Sequence, residues 1–61
     1  MKMDDTRYIA EGRYRNLTVT VRTHTYEGAI RAAKQIIKHN DAIDSACVKD
    51  RKGEVLKVVG R

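Results

Sequence analysis

Tyr8-Ile9-Ala10-Glu11-Gly12-Arg13-Tyr14, then Arg15-Asn16, then Leu17-Thr18-Val19-Thr20-Val21-Arg22: this stretch reads as one β-hairpin. A two-residue turn at Arg15-Asn16 pairs Tyr14 with Leu17, Gly12 with Val19 and Ala10 with Val21, so the apolar members share a face. Glu11, Arg13, Thr18, Thr20 and Arg22 fall on the other face. Thr18, Val19, Thr20 and Val21 are β-branched, which suits a pleated backbone. Keeping apolar residues together fixes the register. The basic enrichment of the opposite face follows without being imposed.

Downstream of the hairpin, Thr25 is a good N-cap, with Glu27 in the first turn where the helix dipole favours negative charge. Tyr26, Ala29, Ile30, Ala33, Ile36 and Ile37 then recur at three- and four-residue spacing, which predicts an amphipathic helix over residues 26–39. Lys38 and His39 suit its last turn, and Asn40 is a candidate left-handed C-cap. A second hairpin follows, with strands near 43–49 and 54–59. Its turn, Asp50-Arg51-Lys52-Gly53, has Asp first and Gly last, as a type I turn with a left-handed glycine requires. That register puts Ala46, Val48, Leu56 and Val58 on the helix side. Cys47, Lys49, Val55 and Lys57 go to the other.

The layout is ββαββ: an α+β fold with a four-stranded, mainly antiparallel sheet and one helix on one face. If the helix returns the chain beside the first strand, the order 2-1-3-4 makes the sheet wholly antiparallel; the residues leave other orders open. Ile30, Ala33 and Ile37 are expected to face Val19, Val21, Val48 and Leu56. Residues 1–6 read as a flexible tail, and residues 7–61 as a single domain. The open face then carries Arg7, Arg13, Arg22, Lys49 and Lys57, with Arg15 at the rim and Ile9, Cys47, Val55 and Val59 between the charges.

Composition narrows the function. The chain has 61 residues, 13 Lys+Arg against 8 Asp+Glu, and a net charge of +5. A chain this short buries only about 60% of its unfolded surface, so outside help with stability is expected. Its single cysteine allows no intrachain disulfide, and His24, His39 and Cys47 are too scattered for a zinc site. A homodimer is the remaining source of stability. No apolar run approaches the length of a membrane span, and the polar start does not read as a signal peptide. An unpaired cysteine fits a reducing compartment, so a cytoplasmic location is expected.

The catalytic inventory is poor. Cys47 needs a base within reach, and none is evident. Asp41 and Asp44 sit at a helix-to-strand turn, where Asp is common for conformational reasons. The glycines are isolated, so no phosphate loop exists. No enzyme activity, metal or cofactor is expected.

Basic charge attracts polyanions. Arginines, lysines and threonines on a sheet reach phosphates and base edges in a groove. The face lacks the aromatic residues that stack single-stranded bases. The helix stripe Arg31, Lys34 and Lys38 competes as a solvated face. Apolar residues interleaved with arginines describe a protein interface equally well. In size and layout alone, the chain resembles small accessory proteins that phages and mobile elements encode, including some anti-CRISPR inhibitors. No motif carries that resemblance and no residue transfers through it. It implies occlusion of a host protein or nucleoprotein by surface contact, without chemistry. The expectation is a basic binding module for nucleic acid or a nucleoprotein, using Arg7, Arg13, Arg15, Arg22, Lys49 and Lys57. A protein-directed inhibitor or adaptor is the alternative.

Overall fold

The first hairpin forms as its alternation dictates. Strand β1 spans Tyr8–Tyr14 and β2 spans Leu17–Thr23. Tyr14 pairs with Leu17, Gly12 with Val19 and Ala10 with Val21. The computed structural model describes residues 6–60. The expected tail, apart from Thr6, lies outside the described residues, as does Arg61. Helix α1 (Tyr26–His39) leads to β3 (Ser45–Asp50) and β4 (Val55–Gly60). All strand pairs are antiparallel, in the order β2-β1-β3-β4. The fold is therefore the α+β ββαββ arrangement, in the strand order that makes the sheet wholly antiparallel.

Thr25 caps the helix from an extended backbone, and its Oγ1 accepts from the Gly28 N–H at 3.0 Å. The other end differs from expectation. Asn40 has φ −133°, so it is not left-handed. Its Nδ2 instead donates to the Ile36 carbonyl at 2.8 Å, which satisfies an end group by a side chain. The chain then turns through an Ile43 N–H to Asn40 carbonyl bond of 2.9 Å. This turn tucks Ile43 fully into the core, ahead of a strand that starts later than its sequence suggests.

Small residues let the helix lie close to the sheet. Ala10, Ala29, Ala33, Ile36, Ile37, Ile43, Ala46, Val48 and Val59 form the buried cluster. Gly12 is the tightest point. A Cβ there would sit 2.6 Å from Ile36 Cγ2 and 3.1 Å from Ile43 Cγ2. The helix covers the sheet unevenly, leaving Leu17 52% and Val21 37% exposed at the β2 edge. Tyr26 is also partly exposed, and its ring packs edge-on against Tyr8 at 5.7 Å.

The second turn forms as read. Gly53 has φ +89°, and Asp50 Oδ1 accepts from the N–H groups of Lys52 and Glu54, each at 2.9 Å. Lys49 pairs with Val55, two residues that the sequence also puts on one side. One residue further on, the register slips: Val48 pairs with Lys57 and Ala46 with Val59, with a bulge at Val48/Lys49. Leu56 is the extra residue, and one extra residue reverses the parity of everything after it. Leu56 and Val58 are therefore exposed, and Val59 enters the core in their place. Lys57 takes the position opposite Val48, on the helix side of the sheet.

Candidate binding face

Register decides which charges share the open face. β1 contributes Ile9, Glu11 and Arg13, paired on the β2 side with Arg22, Thr20 and Thr18. β3 contributes Cys47 and Lys49, paired with Glu11 and Ile9 on one side and with Val58 and Val55 on the other. Of the six basic residues singled out from the sequence, Arg13, Arg22 and Lys49 lie on this face. Lys57 does not, because the bulge turns it over. Arg15 is drawn away as well. Its guanidinium sits 5.3 Å from the ring centroid of Tyr14, a helix-side position. Arg7 lies just beyond β1, where its N–H donates to the Thr23 carbonyl at 3.0 Å.

The electrostatics are uneven across the face. Lys49 Nζ donates to Glu11 Oε1 at 2.9 Å, and both side chains are partly buried. The hydrogen bond from Lys49 holds the Glu11 carboxyl below its usual range; desolvation opposes this, and the Lys49 and Arg13 charges add to it. The same bond raises Lys49, helped by the Glu11 charge. The β3 side of the face is thus largely self-neutralised, and it carries the exposed Val55 and Val58. The β1–β2 side has Arg13 and Arg22 with Thr18 and Thr20 between them. Four residues at about 3.3 Å each separate the two arginines along the strands by about 13 Å.

One end of the sheet adds more positive charge. The β3–β4 turn falls beside the start of β1 and the end of β2. Arg51 shares one shallow depression with Ile9 and Arg22, and another with Arg7, Tyr8, Asp50 and Lys52. In the sequence Arg51 reads, with Lys52, as a turn residue able to grip phosphates. Strand order 2-1-3-4 is the signal that brings it to this end. Among the described residues, no group of three or more His, Cys, Asp or Glu side chains is arranged to hold a metal, and no helix is long and apolar enough to cross a membrane. Comparison with known proteins finds no matching family model, no matching curated protein and no matching solved structure.

Proposed function

We propose that this chain is a non-enzymatic, cytoplasmic binding module that contacts nucleic acid or a nucleoprotein through the β1–β2 side of its open face. The observation that carries this reading is the placement of Arg13 and Arg22 on one surface, about 13 Å apart along the direction of their neighbouring strands, with Thr18 and Thr20 between them on β2 and Glu11 on β1. The major groove of B-form DNA is about 12 Å wide, so the two guanidinium groups suit phosphates on its opposite walls. Thr18 and Thr20 then face the groove floor, where hydroxyls donate to or accept from base edges. Arg7, Arg51 and Lys52 extend the positive end beyond Arg22.

No aromatic side chain occupies the open-face register, so duplex is favoured over single strands, which bind by stacking. The test is a titration with generic duplex and single-stranded oligonucleotides at two salt concentrations. Tight, salt-sensitive duplex binding supports the reading. No binding at about 50 mM salt rejects it.

The alternative is a protein-directed inhibitor or adaptor. It is favoured by one observation, the exposed Val55 and Val58 beside the Glu11–Lys49 pair. Apolar side chains next to a satisfied ion pair suit a protein surface better than a polyanion.

A further inference from the structure

Strand β2 has Thr20 at its midpoint, and residues equally distant from it share a face. On the helix side it presents Leu17, Val19, Val21 and Thr23, and on the open side Thr18, Thr20 and Arg22. It is an edge strand, with only β1 as its strand neighbour among the described residues. The two-residue turn makes Tyr14 and Leu17 a hydrogen-bonded pair, so alternation directs the backbone N–H and C=O of Thr18 and Thr20 away from β1. Its pairing with β1 is regular along all seven residues. Natural edges are usually blunted by bulges, prolines or inward charges. β4 has such a device, a bulge followed by Lys57, whereas β2 has no bulge, proline or helix-side charge and a single charge, Arg22, near its end. Beside it, Val21, Ala32 and Ile36 line an apolar depression that the helix leaves uncovered.

We infer that two copies of this chain pair through antiparallel β2 strands about a two-fold axis at Thr20, joining their sheets edge to edge. Self-complementarity argues for a second copy as the occupant. Centring on Thr20 is the register that gives every residue of β2 a partner. Val19 meets the partner's Val21, Leu17 meets the partner's Thr23, and Thr18 meets the partner's Arg22. No like charges oppose each other, whereas centring on Arg22 would set two arginines face to face. The outward groups of Thr20 bond to those of the partner's Thr20. The area required is modest. A specific interface buries about 1,200 Å² in total, or about 600 Å² per copy. That is roughly an eighth of the 4794 Å² this chain exposes. An axis normal to the sheet keeps both open faces on one side. The pairing itself does not depend on what those faces bind.

Engineered cysteines, with Cys47→Ser as background, locate the axis without any ligand. Directly opposed, hydrogen-bonded residues have Cα atoms about 5.5 Å apart, within disulfide range. Thr20→Cys should therefore form a covalent dimer under mild oxidation. Thr18→Cys should not, because its two copies stand about 13 Å apart along the strands. The unmodified chain should shift from monomer towards twice its mass across a roughly hundredfold rise in concentration. Thr20→Pro should abolish that shift with an unchanged circular dichroism spectrum, since its N–H does not serve β1. If Thr20→Pro fails to fold, the cysteine pair still decides. A chain that stays monomeric throughout, with no Thr20 cross-link, overturns the inference. So does a cross-link at Val58→Cys in place of Thr20→Cys, which would assign pairing to β4.

Discussion

At the scale of single residues, the close approach of Ile36 and Ile43 explains a glycine that alternation alone leaves unexplained. Gly12 occupies a helix-side position, where an apolar side chain would fit the pattern. Any Cβ there meets Ile36 and Ile43, and both contacts are γ-methyls of stiff, branched side chains. Gly12→Ala should cost about 1–3 kcal/mol through overpacking, measured by denaturant unfolding. Glu11 makes a pH-dependent contribution of definite sign. Its folded-state carboxyl lies below the usual 4.5, so the folded chain binds fewer protons there than the unfolded one. The pair with Lys49 is present above that pH and lost as pH falls through the lowered value. The parent should therefore lose more stability than Glu11→Gln between about pH 5 and pH 3, read from unfolding midpoints. At neutral pH the same variant removes the acid that β1 places on the binding face. It should tighten duplex binding at low salt if nucleic acid is the ligand.

At the scale of elements, the first hairpin and the helix were legible because each rests on a local signal, whereas the strand order rests on the long-range β1–β3 pairing and was not. A two-residue turn fixes the β1–β2 register, and Thr25 and the Tyr26–Ile37 stripe fix α1. The β3–β4 turn was legible too, from Asp50 to Gly53. What the residues did not announce is the bulge. Val55, Leu56, Val58 and Val59 are all apolar, so either parity of β4 buries an acceptable side chain. The observed parity places Val59 in the buried cluster with helix residues Ile36 and Ile37, and such packing is tertiary. The misplaced Lys57 follows from the same ambiguity, as does the surplus apolar surface at Leu56 and Val58. A pair of truncations tests the register. Val59→Ala should cost about 1.5–3 kcal/mol as a buried side chain, while Val58→Ala should cost well under 1. Ile37→Ala, on the secure helix stripe, should cost about 2–5 kcal/mol. A larger loss at Val58 than at Val59 would restore the unshifted register.

At the scale of the whole molecule, the question is whether a net charge of +5 acts as a cloud or as a site. Two basic surfaces are available. Arg31 and Lys34 lie exposed along the outer side of α1, and Arg13 and Arg22 lie on the opposite side of the sheet. A diffuse cloud gives every cation similar weight, since at physiological ionic strength screening limits each to about 8 Å. A site weights them by contact. Each residue that neutralises a phosphate contributes about 0.9 to the slope of log affinity against log salt. The double variant Arg13→Ala with Arg22→Ala should therefore weaken duplex binding and flatten that slope by roughly two. Arg31→Ala with Lys34→Ala removes the same charge from the far side and should leave the slope close to that of the parent. Lys57→Ala should resemble the helix pair, because the bulge takes it off the open face. Binding isotherms at four or so salt concentrations distinguish these outcomes. Equal losses from both double variants would reduce the open face to its share of the net charge, and the exposed Val55 and Val58 would then make a protein partner the better account.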